Sequence, residues 1–499
     1  MTSLIDLRKF RLEKLKKLKK LGIDPYPPYS KKTCSNEEIH IKYPDYEGRE
    51  IAVSGRITSI RSHGGLVFID LKDASGKIQV YIKEQNLVSP DRKKGQLGFL
   101  DIELLDTGDF LEAGGKVFKT KRGEISIEAN YIRMLTKTLR PLPDQWDGLK
   151  DKETRLRKRY IDTNINSEVF QRFIRRAKFW EAHREYFKKE GFLEINIPIL
   201  ENTPGGADAN PFITHMDVLD QDFYLRISQE LYLKRLIGGG YEKVYEIGPR
   251  FRNEGYSDEH LPEHIAMEFY WAYADWKKGM DFIISLFRYV AESVYNTGLF
   301  KTRGFEFDLS QEWETIEYSD ILKKRFDINI FNTDLKEVKS ALEKENAKIK
   351  KGITVNRAID DLWKIARKEI RGPAMVIHEP KFLSPLAKTD PENDNLTLRF
   401  HPIIAGSELG NGFSELNDPQ DQLKRFVEQQ KMRDKGDKEA QFLDTDFVEM
   451  LEYGMPPTFG YGHSERVFWF LENVPAREGV PFPQLKKEND SDSRKILGL

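Results

Sequence analysis

Residues suited to binding an anion cluster around one long polar loop in the second half of the chain. Residues 242–247 and 267–273 are strand-like, and the loop between them carries His260, His264 and several acids. Two strands joined by a long charged loop are typical of a hairpin whose tip binds a ligand. Arg252, near the end of the first strand, suits an anionic oxygen because a guanidinium stays charged and offers paired donors.

Two glutamates, Glu408 and Glu415, stand seven residues apart in the segment SELGNGFSELND at 407–418. If this segment is a strand with a bulge, both acids face one cleft; the alternative is a pair of solvated surface acids. Their apolar surroundings favour a cation site, because a carboxylate among apolar groups needs a counter-charge.

Two further segments carry weaker signals. Residues 458–471 (TFGYGHSERVFWFL) predict a glycine-rich turn and then a helix after Arg466, and they match none of the common phosphate-binding glycine motifs. Residues 179–200 predict a helix that stops at Gly191, a strand over 192–197 and an end at Pro198. Ordinary helix–strand packing explains this last segment without any functional role.

The charge is distributed unevenly along the chain. The 499 residues carry 80 Lys+Arg and 81 Asp+Glu, a formal charge of −1, yet residues 1–160 hold 33 basic and 23 acidic residues. Leucines at near-helical spacing among the first lysines predict a helix that ends before Gly22. This helix either packs on its own protein or lies along nucleic-acid phosphates.

The elements that must position these residues fall into two groups. Residues 51–58, 66–72, 77–83, 111–118 and 124–134 read as strands and predict a five-stranded barrel of the oligonucleotide-binding type. A Pro-rich stretch at 139–147 predicts a linker, and the remaining chain alternates helical and strand patterns. The predicted fold class is therefore α+β.

Composition excludes several classes of protein. A hydrophobic fraction of 39% excludes a wholly disordered chain, and no apolar run approaches the ~20 residues of a membrane-spanning helix. The single cysteine, Cys34, cannot form an internal disulfide, and no secretory signal is predicted. These features predict a cytoplasmic protein with no membrane partner.

Taken in order, these segments resemble the motifs of class II aminoacyl-tRNA synthetases, most closely the lysyl-tRNA synthetases. The likeness covers nearly the whole chain. It is carried by the phrases LTKTLRPLP, RYIDT, PFITH, LRISQELYLKRL, FRNEG, MEFYWAYAD, GNGFSELNDPQDQ and LEYGMPPT.

The resemblance implies a domain plan and a reaction. The expected parts are a basic helix and lead-in (1–48), an anticodon-binding barrel (49–138), a linker (139–160) and a catalytic domain with a mainly antiparallel sheet flanked by helices (161–499). The implied enzyme joins lysine to ATP as lysyl-adenylate, releases pyrophosphate, and transfers lysine to the 3′ end of lysine tRNA. Magnesium is the implied cofactor, and a homodimer formed through the motif at Pro198 is the implied assembly.

The resemblance also implies roles for individual residues. Arg252 and Arg466 match the catalytic arginines that hold the α- and γ-phosphates of ATP. The lysine pocket is expected from Gly206, Glu230, Glu268, Tyr270, Asn411, Phe413 and Glu415. ATP binding is further expected from Asn253, Glu254, His260, His264 and Glu408, with Glu408 as a magnesium ligand. Arg56, Phe68 and Gln79 match positions that read the anticodon, although Phe68 as barrel core is an alternative.

Four positions depart from the common pattern of that family. His401 replaces the second magnesium glutamate, and imidazole is a poor ligand for magnesium. His264 replaces a phenylalanine expected to stack on adenine, and its ring has a proton to gain or lose. Glu259 replaces an arginine, and the third motif reads GHSER.

Two rival functions remain open on the sequence. Aspartyl- and asparaginyl-tRNA synthetases share this architecture, but their pockets need donors where this chain has Glu230, Glu268 and Glu415. A tRNA-binding regulator that does not aminoacylate is the second rival, kept open by His401 and Glu259.

Overall fold

The computed structural model describes residues 3–87, 89–143, 149, 151–350, 352–436, 440–488 and 491–497. The chain divides into two compact units, Met1–Arg155 with Leu485–Leu499, and Leu156–Gln484. The domain limits given above remain predictions. Residues 144–148 and 150 of the predicted linker lie outside the described residues.

The first unit is a strand-rich unit with a leading helix. Its helices are α1 (Leu4–Lys20), α2 (Asn36–Ile41) and α3 (Tyr43–Tyr46). Its strands are β1 (Glu50–His63), β2 (Leu66–Lys72), β3 (Lys77–Lys83), β4 (Gln96–Leu97), β5 (Phe110–Lys119) and β6 (Ile125–Thr136). Helix α4 (Lys152–Arg157) spans the division between the units, and α16 (Ser491–Leu497) belongs to the first.

The predicted barrel is confirmed. The strands follow the order β3-β2-β1-β5-β6, and a parallel pairing of β3 with β6 closes the sheet. Alternate residues of β2, Val67, Ile69 and Leu71, are buried inside, whereas Phe68 between them is half-buried on the other face. This period of two is what a strand with one core face requires.

Helix α1 packs on its own protein. Ser3 caps it, and Arg11 and Leu18 are its buried residues. Arg11 Nη2 donates to the carbonyl of Thr107 at 2.9 Å, and Lys14 pairs with Asp106 at 2.9 Å. The buried face thus anchors the helix to the barrel and leaves most of its lysines exposed.

The second unit is built on a nine-stranded sheet. Its helices are α5 (Arg159–Ile165), α6 (Ser167–Lys189), α7 (Glu230–Gly238), α8 (Trp276–Tyr295), α9 (Tyr318–Phe326), α10 (Leu335–Lys344), α11 (Val355–Ala366), α12 (Pro419–Asp434), α13 (Thr445–Tyr453), α14 (Arg466–Leu471) and α15 (Ala476–Gly479). Its strands are β7 (Leu193–Glu194), β8 (Leu200–Glu201), β9 (Phe212–Met216), β10 (Gln221–Leu225), β11 (Lys243–Phe251), β12 (Glu263–Ala272), β13 (Leu299–Thr302), β14 (Phe305–Asp308), β15 (Glu314–Glu317), β16 (Ala374–Ile377), β17 (Thr389–Asp390), β18 (Asn393–Thr397), β19 (Arg399–Ile404), β20 (Ser407–Glu408), β21 (Asn411–Ser414) and β22 (Thr458–Ser464).

The large sheet runs in the order β15-β16-β19-β21-β22-β12-β11-β7, with β20 beside β19. All its pairs are antiparallel except β11–β7 and β15–β16, which confirms the predicted mainly antiparallel sheet. Aromatic residues of α6 and α8, including Phe187 and Phe282, pack against Phe269 on one face. The other face carries the charged groups described below.

Two local predictions were wrong. Residues 458–464 form the central strand β22, not a turn, because Gly460 and Gly462 make room for side chains of the neighbouring strands. The strand predicted over 192–197 contracts to Leu193–Glu194, which pairs in parallel with β11.

No helix among the described residues is both long and apolar enough to cross a membrane.

Candidate active site

A cavity of about 460 Å³ opens in the second unit, over the centre of its large sheet. Ten of the residues singled out from the sequence line it: Gly206, Glu230, Arg252, Glu268, Tyr270, His401, Glu408, Asn411, Phe413 and Arg466. We call the group of Glu230, Glu268 and Glu415 the acidic end, in which Glu415 is buried and does not itself line the cavity. We call the lining residues Arg252, Arg399 and Arg466 the basic end. Acidic and basic side chains are therefore brought together in one cavity, and some of them pair directly, as Arg250 does with Glu268 at 3.3 Å.

A buried lysine occupies part of the acidic end. Lys234 is fully buried, and its Nζ donates to Glu230 Oε1 at 2.8 Å and to Glu415 Oε2 at 2.6 Å. Its ammonium also lies over the rings of Phe447 and Phe413, at 5.3 and 5.9 Å from their centroids. Glu230 and Glu415 are thus joined by an internal cation, which the sequence analysis did not foresee.

One oxygen of Glu415 has no such partner. Glu415 Oε1 is buried and accepts no hydrogen bond from any residue that the structure describes. It lies against Gly460, where an added Cβ would come within 2.0 Å of it and within 2.5 Å of the Tyr270 ring. Burial raises the pKa of Glu415, an effect that Lys234 only partly offsets. An unsatisfied buried acceptor of this kind calls for a donor from outside the chain.

Glu268 is held from several directions. Its Oε1 accepts from Ser228 Oγ at 2.8 Å and pairs with Arg250 Nη1 at 3.3 Å, and its Oε2 accepts from Tyr270 Oη at 3.2 Å. Strands β11 and β12 bring these groups together, because Arg250 and Tyr270 point to the same face of the sheet as Glu268. The carboxylate is therefore fixed in place before any ligand arrives.

Gly206 lies in the wall of the acidic end. Its φ is +82°, and a Cβ there would come within 2.7 Å of Glu230 Cβ and 2.9 Å of Ser228 Oγ. Both the backbone conformation and the close approach require glycine. The backbone at this point is thereby exposed to the cavity.

The predicted ATP-binding residues are only partly assembled. Arg252 lines the cavity and donates from Nε to the carbonyl of Ile227 at 3.4 Å, and burial lowers its pKa. Asn253 and Glu254 are exposed on the loop that follows. His260 Nδ1 contacts Ser257 Oγ at 2.7 Å within the same loop and does not line the cavity.

His264 is fixed as a neutral ring. Its Nε2 accepts from Arg250 Nε at 2.8 Å, and its Nδ1 lies 3.0 Å from the carbonyl of Leu261, so that Nδ1 carries the proton. Burial, and then Arg250 and Arg252, lower the pKa of His264 well below its ordinary value. The proton exchange expected of a histidine at this position is therefore suppressed.

His401 lies between two carboxylates. Its Nε2 is 3.0 Å from Glu379 Oε2, and its Nδ1 is 3.3 Å from Glu408 Oε1. Burial opposes the charged ring, but Glu408 and Glu379 outweigh it and raise the pKa of His401 to about 9. Burial likewise opposes the charge on Glu408, yet His401 lowers the pKa of that carboxyl to about 2.

Arg466 carries an ion pair at the basic end. It begins helix α14, two residues after the end of β22, and its Nη2 pairs with Glu259 Oε2. Glu259 belongs to the loop between β11 and β12 and also pairs with Arg303. Glu259, which stands where the family has an arginine, thus pairs with Arg466, one of the two predicted catalytic arginines.

Five residues of the site were missed from the sequence: Lys234, Arg250, Arg303, Glu379 and Arg399. Lys234 follows Glu230 by four residues on a helix, a spacing that indicates a side-chain pair. Arg250 stands on β11 two residues before Arg252, which follows the end of that strand, and it was also within reach of sequence reasoning. The other three come from remote segments, and no local pattern marks them.

In the first unit, the three predicted anticodon residues lie on the neighbouring strands β1, β2 and β3 and on the same face of the sheet, each with its own contacts. Phe68 lies 5.2 Å from Tyr81, which lies 5.6 Å from Phe118, so that three rings line the outer face of the barrel. Gln79 accepts from Ser126 at 3.1 Å. Arg56 lies over Phe110 and donates to the carbonyl of Gly108 at 2.9 Å.

Comparison with known protein families shows the class to which the chain belongs. Residues 151–486 match the family described as tRNA synthetases class II (D, K and N), and residues 51–135 match the OB-fold nucleic acid binding domain. The chain therefore belongs to the class II tRNA synthetase family.

Its relatives within that class include proteins named lysine–tRNA ligase. The one from Thermotoga maritima is 41% identical over 494 residues, which cover 97% of this chain and 96% of that protein. The one from Moorella thermoacetica is 41% identical over 495 residues, 97% of this chain and 99% of that protein. The one from Fervidobacterium nodosum is 40% identical over 501 residues.

Proposed function

We propose that the chain is an ATP-dependent lysine–tRNA ligase. It activates lysine with ATP to lysyl-adenylate and pyrophosphate, and then transfers lysine to the 3′ end of lysine tRNA. One observation carries this proposal: Glu415, which is buried near Glu230 and Glu268, has an oxygen, Oε1, without a hydrogen-bond partner among the described residues. A lysine side chain ends in an ammonium with three donors, which is the complement that this acceptor lacks.

The pocket discriminates by charge. Lys234 already neutralises part of the acidic end, so a second cation meets the remaining negative charge of Glu268 and the free oxygen of Glu415. Lys234 and Arg250 are two cations among three glutamates, so a carboxylate or amide side chain, as in aspartate or asparagine, would leave the excess negative charge unmatched, at a cost of several kcal/mol. Lysine is therefore the favoured substrate over those two.

The basic end suits the activation step. Arg252 lines the cavity beside Gly206 and Ser228, where it would hold the α-phosphate as the lysine carboxylate attacks it. Arg466 would hold the terminal phosphate. Donors fixed before the reaction stabilise the charge that develops on the phosphate oxygens, without reorganisation. His264, as a neutral ring, would stack on the adenine.

The donor set fits a magnesium ion that arrives with ATP. Among the described residues, no three His, Cys, Asp or Glu side chains are grouped to hold a metal ion. Glu408 presents an oxygen to the cavity, and magnesium in phosphate sites is held by one or two carboxylates together with the phosphates. Bound there, the ion would neutralise phosphate charge. Both nitrogens of His401 face carboxylates, so we assign it to positioning Glu408 rather than to ligation.

The barrel supplies the tRNA contact in this proposal. Phe68 would stack on an anticodon base, with Gln79 and Arg56 contributing polar contacts. Base stacking on an aromatic ring contributes about 1–3 kcal/mol. Phe68→Ala should therefore raise KM for lysine tRNA roughly 5- to 100-fold and leave lysine activation unchanged. Phe331→Ala, at an exposed phenylalanine of the other unit, is the control; equal losses in activation and charging would exclude an anticodon role.

The second unit is proposed to pair with a second copy of the chain. Pro198 is exposed, and Leu193, Ile199 and Leu200 around it expose 50%, 40% and 36% of their surfaces. A homodimer would cover these apolar side chains. Sedimentation measures the mass of the Ile199→Asp variant and of the parent chain and so tests this assignment; a monomeric mass for both would exclude it.

As a translation enzyme, the protein is expected in the cytoplasm.

Two assays test the proposed function. The first is lysine-dependent exchange of pyrophosphate into ATP, and the second is the charging of lysine tRNA. Exchange with lysine and none with aspartate or asparagine is the expected result. If exchange is absent at saturating lysine and magnesium while tRNA still binds, the tRNA-binding regulator replaces the ligase. The ion pair of Glu259 with Arg466 is the observation that favours this second candidate.

A further inference from the structure

The tip of the hairpin formed by β13 and β14 carries a residue that the proposed reaction does not use. Arg303 has a φ of +54° and is followed by Gly304 at +84°. A two-residue hairpin turn with positive φ at both positions favours Asn, Asp or Gly, so an arginine here is strained. Strain of this kind persists where surrounding contacts hold the residue, and it is frequent at ligand sites.

Three contacts hold Arg303 in place. Its Nη1 donates to Ser407 Oγ at 2.7 Å, and its backbone N–H donates to Asn473 Oδ1 at 3.4 Å. Its guanidinium carbon lies 5.9 Å from the ring centroid of Phe470. The side chain still exposes 40% of its surface, so that a ligand from solvent can reach it.

Glu259 bridges this arginine to Arg466. Its Oε1 pairs with Arg303 Nη1, and its Oε2 pairs with Arg466 Nη2. The hydroxyl of Ser407 lies 3.4 Å from Oε1. One carboxylate is thus bound through both oxygens between two guanidinium groups, which is how two arginines would share the oxygens of a phosphate.

We infer that Arg303 and Arg466 form a two-arginine subsite for the terminal phosphates of ATP, and that Glu259 fills this subsite until the triphosphate displaces it. The inference rests on the proposed function for the identity of the ligand. Arg303 then becomes a binding residue of the site, and Glu259 becomes an internal competitor of ATP.

The charges and the position of the loop allow this exchange. A carboxylate brings one negative charge to two arginines, whereas the terminal phosphate of ATP brings about two and has more acceptor oxygens. Glu259 lies on a loop whose residues 253–258 are exposed. Its side chain can therefore leave the arginines without opening the core of the unit.

Removal of the competing charge is the first test. Glu259→Gln should lower KM for ATP in lysine-dependent exchange by about three- to tenfold, because a larger fraction of the protein is then competent to bind. By calorimetry, the Kd of ATP should fall in the same proportion. The Kd of AMP, which lacks the terminal phosphates, should be unchanged. Glu263→Gln, an exposed residue of the same hairpin that contacts Gln484, is the matched control and should alter neither ligand.

The second test asks whether Arg303 touches the nucleotide. Arg303→Gln in the Glu259→Gln background should raise KM for ATP by about tenfold, the effect of one lost charged hydrogen bond. In the parent chain the rise should be smaller, since the same change also loosens Glu259. Thermal melts establish that each variant is folded.

The outcomes separate this inference from the proposed function. An unchanged or higher KM and Kd for ATP in folded Glu259→Gln would overturn the inference while leaving the ligase intact. So would an absence of any effect of Arg303→Gln in that background. If the parent chain shows no lysine-dependent exchange, the proposed function fails, and the calorimetric comparison of ATP with AMP still decides the subsite.

Discussion

The acidic end and the basic end each include a counter-charge that does not line the cavity. At the acidic end Lys234 lies among glutamates, and at the basic end Glu259 lies between arginines. Lys234 is fully buried on a helix, whereas the side chain of Glu259 is 17% exposed on a loop. A buried counter-charge is permanent, because its removal leaves unpaired charges in a low dielectric.

This difference has a functional meaning. The acidic end is preorganised: the carboxylate of Glu268 is held, and the free oxygen of Glu415 is buried. In the proposed function these two groups meet the lysine ammonium. At the basic end Glu259 pairs with Arg303 and Arg466, and we infer that a more highly charged ligand replaces it. Substitutions at the two ends should therefore affect different quantities, and the following predictions test that separation.

The largest effect is expected from removal of the permanent counter-charge. Lys234→Met leaves Glu230 and Glu415 without their buried partner and should lower the free energy of unfolding by about 3–5 kcal/mol. Denaturant titration measures this change. The exposed Lys188→Met should stay within about 0.5 kcal/mol of the parent. If Lys234→Met lowers the free energy of unfolding no more than Lys188→Met does, Lys234 is not a permanent counter-charge, and the contrast with Glu259 fails.

The next effect concerns the substrate itself. If the proposed function holds, Glu415→Gln removes a charge that faces the lysine ammonium and should raise KM for lysine by roughly 100-fold, a loss of about 3 kcal/mol. KM for ATP should change little, because Arg252 and Arg466 are untouched. Pyrophosphate exchange at varied lysine and then varied ATP gives both values. Equal losses for the two substrates would contradict the assignment of the acidic end to lysine.

A pH series should distinguish the two ends in the parent chain. Burial raises the pKa of Glu415 to about 8. The lysine ammonium binds the ionised carboxylate, so KM for lysine should rise as pH falls below 8, by up to about tenfold per unit. KM for ATP should not follow this profile, and Glu415→Gln should abolish it. A profile that persists in this variant would assign the titration to another group.

The smallest effect is expected from a single hydrogen bond. Tyr270→Phe removes the donor to Glu268 Oε2 and should weaken lysine binding by about 1 kcal/mol, or roughly fivefold. Calorimetry with lysine alone measures it. No change at all would mean that a solvent donor replaces the hydroxyl and that the acidic end is less closed than its burial indicates.

The sequence predicted the parts of the site that local pattern and family resemblance can reach. Alternating residues located β2 and β3 of the barrel, and the motifs located Glu230, Glu268, Arg252 and Arg466. The glycines of β22 were mistaken for a turn, because glycine at a close approach and glycine at a turn look alike in one sequence. His264 was expected to titrate, and only its contact with Arg250 shows why it does not.

The sequence by itself determined the residue types at each end of the cavity and the strands and helices that carry them. It could not determine which charge meets which, because Glu259 lies 44 residues from Arg303 and 148 from Ser407. Lys234 and Glu415 are likewise 181 residues apart. Coulomb interactions depend on distance and burial, and both are fixed only when the sheet assembles. The tertiary structure alone therefore decided that one counter-charge is locked into the core and the other lies on a loop.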